Sequence, residues 1–291
     1  ASMVPKASPC LVAVPAGGFQ PDKTPSLSGS PVTCLIITNT ALAPSFQVLA
    51  DYRTARGMPT VVATREYIAA NFRNGSDIQE TIRLYIRDAY EKWGVQYVLL
   101  GGDSDVIPPR IIYNSLYPAS GYTAIPCDLY FACLDGNWNA DPDANFGQPA
   151  RYENPGDLVD FAEEVYLGRA PVDNTAEADL FVQKVINYES QAAGAAWTNR
   201  VLFAAEVLFP ETYTPGATIF MDGASFADEQ VNNLVDPCTD METLRMYETD
   251  ALFPRDLPLT CATLIDSLNT GHYGVVNQIG HGYFLNMSVG D

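Results

Sequence analysis

The chain has 291 residues, 47% apolar and 18% charged, enough for one large α/β domain or two smaller ones with a real core. A net charge of −19, from 35 acidic and 16 basic residues, repels phosphate backbones and argues against nucleic acid as a partner. No run approaches the roughly 18 apolar residues of a membrane span, and the start at Ala1-Ser2-Met3 shows no basic-then-apolar signal peptide, although one already cleaved would leave the same start.

Residues 1–31 are rich in Pro, Gly and Ser and predict an extended lead-in. Val32–Thr38 is a short β-branched run, a buried parallel strand. A helix is expected over 44–56, with Phe46, Leu49 and Ala50 on its apolar side and Gly57 closing it. Thr60–Thr64 is the next strand. Asp77 then precedes the stripe Ile78, Ile82, Tyr85, Ile86, an N-cap followed by a helix. Tyr97–Leu100 is a third strand and runs into Gly101-Gly102-Asp103.

The segment 108–160 is irregular, although Cys127–Ala132 reads as a strand, paired with another at Val165–Arg169. A helix follows over 174–190. A second α/β half starts near Trp197. It comprises strands at Val201–Ala205, Thr243–Tyr247 and Gly274–Ile279, with helices over 222–235 and Thr260–Leu268. The alternation predicts two side-by-side α/β subdomains with mainly parallel sheets flanked by helices. We divide the chain into the lead-in 1–31, a first subdomain 32–192 and a second, 193–291.

In such sheets functional groups gather at the carboxyl ends of strands. Gly280-His281-Gly282 follows the last strand, and an imidazole there can act as general acid or base. The plainer reading is a turn that contains a histidine. Asp103 ends the third strand. Asp160, Ala162 and Glu164 share a period of two, so in extended chain their side chains point the same way. Converging carboxylates need a cation, and calcium takes about six to eight oxygens, backbone carbonyls included. A solvated acidic edge is the alternative, as is simple solubility for the overall acidity. The loop Asp135–Asp143 has alternating Asp and Asn but lacks the Glu of an EF-hand and contains Pro142, so a solvated loop is the better reading of it. Six cysteines, with no Cys-x-x-Cys, and two histidines argue against structural zinc. One or two disulfides are compatible with the count, and Cys34 reads as a buried small hydrophobe. There is no Gly-x-Ser-x-Gly elbow and no phosphate-binding glycine loop.

Four strings in order resemble the gingipain family of cysteine peptidases, which have the caspase–haemoglobinase fold. They are Tyr97–Asp103 with Ile107-Pro108, Cys127–Tyr130, Glu164–Arg169, and Val276–Gly282. The resemblance runs from about Leu35 to His281 and implies that His281 is one half of a Cys–His dyad. The cysteine is expected on the next strand, beyond Asp291, in a C-terminal segment or separate chain, so this chain alone is expected to be inactive. The resemblance also implies calcium held by Asp103, Asp160 and Glu164 with backbone carbonyls such as those of Ala162 and Asp135. It makes Glu206 a candidate to orient His281 and Asp222 a candidate wall of the pocket for a basic side chain, with helix N-cap as the alternative for Asp222. It implies a peptide or protein substrate and a secreted or cell-surface bacterial setting. The competing classes are a non-catalytic pseudo-peptidase or binding module, and an adhesion domain using the aromatics between Tyr113 and Trp138.

Overall fold

Five β-branched or apolar residues in a row favour extended chain buried on both faces. Cys34–Thr38 (β1) is such a strand, with all five residues buried. The computed structural model describes residues 32–72, 75–113, 124–149, 156–159, 161–191, 195–283 and 286–289. The expected lead-in, 1–31, lies outside the described residues. Two compact units divide the chain, one ending at Tyr188 and the other beginning at Glu189.

In the first unit, α1 (Ala43–Ala55) follows β1, and β2 (Thr60–Thr64) returns parallel to it. Thr64 caps a short helix, α2 (Arg65–Asn71), which sequence periodicity does not show because seven residues are too few. Asp77 caps α3 (Ile78–Trp93) by accepting from the Glu80 N–H. Next come β3 (Tyr97–Gly101), β4 (Arg110–Tyr113), β5 (Ala124–Cys127), β6 (Tyr166–Ala170) and α4 (Thr175–Gln191). The sheet is wholly parallel, in the order β2-β1-β3-β6.

Two expectations need correction. The strand expected over Cys127–Ala132 ends at Cys127, and Leu129–Phe131 is a 3-10 turn. Tyr130 and Phe131 are both buried, which a turn permits and a two-faced strand at a sheet margin does not. Nor does β6 pair with that segment. It pairs with β3, while β5 pairs antiparallel with β4.

Three arginines replace regular pairing across this irregular stretch. Arg169, on β6, donates to the carbonyls of Gly102 (2.8 Å), Asp103 (3.1 Å) and Ile107 (2.8 Å). Its other two nitrogens grip the Asp128 carboxylate at 2.6 and 2.7 Å. Arg83 donates to the carbonyls of Cys133 (2.9 Å) and Gly136 (2.6 Å). Arg110 forms a two-pronged pair with Asp77 and lies over the rings of Phe146 and Tyr130. Burial raises the Asp77 carboxyl pKa, but hydrogen bonds from Arg110 and the Glu80 N–H outweigh it and hold the group below its ordinary range.

The second unit is built around β7 (Arg200–Ala205), whose alternate residues feed two cores. Val201, Phe203 and Ala205 pack with Ala224 and Ala227 of α5 (Gly223–Gln230) and with Val231. Leu202 and Ala204 pack with Leu264 of α7 (Cys261–Gly271). This is the period of two expected of a strand covered on both faces. A hairpin, β8 (Val207–Phe209) and β9 (Met221–Asp222), precedes α5. The helix expected over 222–235 is α5 continued by a π-helical stretch, Val231–Val235, and the short α6 (Asp236–Cys238). Then come β10 (Glu242–Tyr247), β11 (Leu257–Pro258), α7, β12 (Val275–Ile279) and the small hairpin β13 (Gly282–Tyr283) and β14 (Asn286–Met287). The main sheet is parallel, in the order β11-β10-β7-β12. Strand order reverses between β7 and β12, so the crevice of this sheet opens at their carboxyl ends.

Removing Arg169 would leave the Gly102 and Ile107 carbonyls and the Asp128 carboxylate without this donor, while the Asp103 carbonyl keeps the Ile107 N–H. We expect Arg169→Ala to cost about 3 kcal/mol in urea unfolding, and Arg169→Lys to recover only part of it, because an ammonium cannot fork onto a carboxylate. Equal stability of wild type and Arg169→Ala would refute the clamp.

Candidate active site

The chain leaves β7 at Ala205 and β12 at Ile279, and the next residues meet. The Glu206 N–H donates to the Ile279 carbonyl at 3.1 Å. Glu206 is 2% exposed, an unusual place for a carboxylate. Its Oε1 accepts from the backbone N–H of His281 and lies 2.6 Å from His281 Nδ1. One oxygen thus fixes both the backbone and the ring of the same residue. With a carboxylate as acceptor, Nδ1 carries the proton and Nε2 is the basic nitrogen of the neutral ring. The His281 side chain is 40% exposed, so the ring is anchored at one edge and open at the other.

Small residues make this approach possible. A side chain at Gly280 would place its Cβ 3.1 Å from Glu206 Cδ and 3.2 Å from the Ser288 carbonyl. One at Gly223 would lie 2.7 Å from the Glu206 carbonyl. The β13–β14 hairpin then folds back, with the Ser288 N–H donating to the His281 carbonyl at 2.8 Å and Gln278 Nε2 to the Ser288 carbonyl at 2.7 Å. Phe209, at the end of β8, sets its ring edge-to-face with the imidazole, centroids 5.7 Å apart at 87°. Phe209 is the residue here that sequence reasoning missed. Its only signal was its position three residues after Glu206.

Asp222 lies at the same end of the sheet, paired with Val207 and 5% exposed. It is the N-cap of α5, with Oδ1 accepting from the Ala224 N–H at 2.9 Å. Oδ2 is buried and has no hydrogen-bond partner among the described residues. Burial raises this carboxyl's pKa, and the capping bond offsets only part of the rise.

The expected calcium ligands do not all converge. Asp103 follows β3 and Glu164 precedes β6, and these strands are parallel and in register from Tyr97 opposite Tyr166 to Gly101 opposite Ala170. The two residues therefore lie beyond opposite ends of the strands, which alone span about 13 Å. Two oxygens on one calcium ion are within about 5 Å of each other, so Asp103 cannot share an ion with Glu164. Asp103 accepts instead from the N–H groups of Asp105 (2.9 Å) and Val106 (3.4 Å). Those backbone donors, and a side-chain hydrogen bond with Asp173, hold its carboxyl below its ordinary range.

Glu164 and Asp135 do meet. With Cys133 they form a group whose ligand atoms all lie within 4.8 Å of one another. Glu164 is held there by accepting from the Leu134 N–H, while its own N–H donates to the Ala132 carbonyl at 3.1 Å. Ala162 is exposed in the same extended stretch, after Phe161 at the left-handed φ of 60°. Asp160 lies outside the described residues. The fit to a hard cation is good in its two carboxylates and poorer in the soft sulfur of Cys133. In the neighbouring loop, the Asp143 carboxylate is taken up by Asn145 and Gln148, as a solvated loop would have it.

Cys127 and Cys261 are free thiols. Cys261, in the unit of His281, opens α7 directly after β11. Strands β11 and β12 are the two edges of the sheet, three spacings or about 14 Å apart, so Cys261 and His281 follow strands at opposite edges.

The second unit thus sets an anchored imidazole at the switch point of its sheet, where functional groups gather in α/β folds. Comparison makes this specific: the profile of Peptidase family C25 matches residues 28–288, and the chain belongs to that family. The chain is similar in fold to the complex of Porphyromonas gingivalis RgpB pro- and mature domains, with a TM-score of 0.54, 18% identity and 89% of this chain covered. It spans 50% of the length of that RgpB chain. A smaller overlap, 56% of this chain at 24% identity and a TM-score of 0.41, relates it to dimeric latent PorU from Porphyromonas gingivalis. None of the curated proteins matches the chain.

The anchored pair has a testable energetic signature. Glu206→Ala strips the acceptor from two His281 nitrogens and should cost about 2 kcal/mol in unfolding. The imidazole signals should also broaden or shift in long-range nitrogen–proton NMR spectra. Unchanged stability together with unchanged ring signals would show that the pair does not form.

Proposed function

We propose that this chain supplies the proton-transfer half of a cysteine endopeptidase. The observation that carries the reading is the Glu206–His281 contact, which turns Nε2 outward at the crevice of the second sheet. His281 Nε2 takes the proton of the thiol, the resulting thiolate attacks the peptide carbonyl, the C–N bond breaks, and Nε2 delivers that proton to the leaving amine. Water then attacks the acyl-enzyme, losing a proton to the same nitrogen, and the acid leaves as the thiolate reforms. Glu206 keeps the ring in place through both steps. The thiolate in this reading comes from a segment or partner chain outside these 291 residues, as the family resemblance implies. The family resemblance suggests an extracellular or cell-surface setting. Among the described residues no helix is long and apolar enough to cross a membrane.

Asp222 would contribute to substrate choice in this scheme. Its capped but half-satisfied carboxylate favours a basic side chain before the scissile bond. On mixed peptides with calcium and reductant, the 291-residue chain alone should show no turnover. Turnover abolished by replacing one of its own cysteines would place the nucleophile within it. Supplied with the thiolate, the enzyme should lose about 10²–10⁴-fold on His281→Ala. Asp222→Asn should selectively weaken cleavage after Arg and Lys. It should also leave stability at neutral pH unchanged or raised, since the folded carboxyl's raised pKa means that ionisation costs stability as pH climbs above the ordinary carboxylate range. An equal loss on all substrates would reduce Asp222 to a cap.

Calcium belongs to the same proposal, with a changed ligand set. Asp135 and Glu164 would hold it, joined by Asp160 and the Ala162 carbonyl from the adjoining stretch, and Asp103 drops out. The ion would neutralise converging carboxylates and tie the segment after the 3-10 turn to the start of β6. Excess chelator should then lower the melting temperature, and the shift should vanish in Asp135→Asn and Glu164→Gln. No chelator effect on the wild type would remove calcium from the account.

A further inference from the structure

Met221 and Asp222 are neighbours in an extended strand, so their side chains point to opposite faces. Asp222 is 5% exposed and Met221 45% exposed. The open face of this hairpin is therefore apolar and its closed face acidic. Phe209 is paired with Met221 across β8 and β9 and is itself 38% exposed. Phe220, whose N–H donates to the Phe209 carbonyl at 2.9 Å, is 79% exposed. Phe209 and Met221 form a cross-strand apolar pair in the open, and Phe220, also exposed, adjoins it along the chain; such exposure is unusual outside a binding surface. They are continuous with the imidazole through the edge-to-face contact of Phe209 with His281.

We propose that Phe209, Phe220 and Met221 receive an apolar side chain on the residue immediately after the scissile bond. The inference rests on the peptidase reading above and adds a second specificity element to it. Its logic is the position of the leaving amine. That nitrogen must come within hydrogen-bond reach of His281 Nε2 to take its proton. The side chain attached next to it then lies against the immediate neighbours of the imidazole. On this side the described neighbour is the Phe209 ring, extended by Met221 and Phe220. None of the three offers a charge or a strong hydrogen-bonding group, so a Phe or Leu side chain gains burial there, whereas an Asp side chain loses water without compensation. The residue before the bond is governed separately, by the buried Asp222.

The leaving fragment itself tests the idea without turnover. Fluorescent peptides with a free amino terminus, beginning with Phe, Leu, Gly or Asp and otherwise identical, are titrated against the 291-residue chain and followed by anisotropy. The Phe and Leu peptides should bind at least about ten-fold more tightly than the Gly and Asp peptides. Phe220→Ser and Met221→Ser should each erase most of that preference. Phe209→Ser should do the same but also disturbs His281, which is why the first two variants decide. Equal binding of all four peptides, tighter binding of the Asp peptide, no binding at all, or a preference that survives both variants would overturn the proposal. Failure of the peptidase reading shows differently: the apolar preference persists, yet peptides carrying it are not cleaved when the thiolate is supplied.

Discussion

A carboxylate that is 2% exposed must find donors nearby, and Glu206 Oε1 finds two of them on His281. By accepting from both the N–H and the ring of His281, it converts a burial cost into geometric control of an imidazole. Much else in the second unit follows from this demand. The strand pair β7 and β12 has to deliver residues 206 and 281 to the same point, which the parallel register does. Gly280 and Gly223 have to lack side chains there, because any Cβ would press on Glu206. The β13–β14 hairpin has to fold back over the pair, which it does through Ser288.

The first unit meets a different problem, how to hold a long stretch with little regular pairing. Its answer is arginine. Each guanidinium has several donors in a fixed plane, so Arg169 can satisfy three carbonyls and a carboxylate at once. Arg169 and Arg83 bring together backbone carbonyls, at Gly102, Asp103 and Ile107 in one place and at Cys133 and Gly136 in another. That leaves the Asp135–Glu164 convergence, where the described residues supply carboxylates and no arginine side-chain pairing, as the place where an ion would do what a guanidinium does elsewhere.

The hairpin next to His281 shows how a strand's two faces divide a task. One side chain of the Met221-Asp222 pair turns inward, caps α5 and keeps an unspent carboxylate oxygen. The other turns outward and joins Phe209 and Phe220 in an apolar surface. A one-residue slip in that register would exchange them, exposing the acid and burying the methionine.

The regular elements were legible in the sequence because their cause is local. Cys34–Thr38, Thr60–Thr64 and Arg200–Ala205 are extended wherever burial on both faces is available, and Asp77 caps α3 by an interaction spanning three residues. His281 could be singled out for the same reason, since it follows a buried strand and has glycine on either side. The Glu206–His281 partnership was suggested by resemblance, but the contact itself depends on strands 75 residues apart entering one sheet as neighbours. The pairing of β6 with β3, the 3-10 turn at Leu129–Phe131 and the separation of Asp103 from Glu164 were decided in the same way. Along the chain, Asp103 and Glu164 both look like acids at strand margins, and nothing in their spacing says which end of the sheet each occupies. Composition and period determine what a segment can become. Only the register of distant strands, settled when the whole core closes, determines which of its side chains meet.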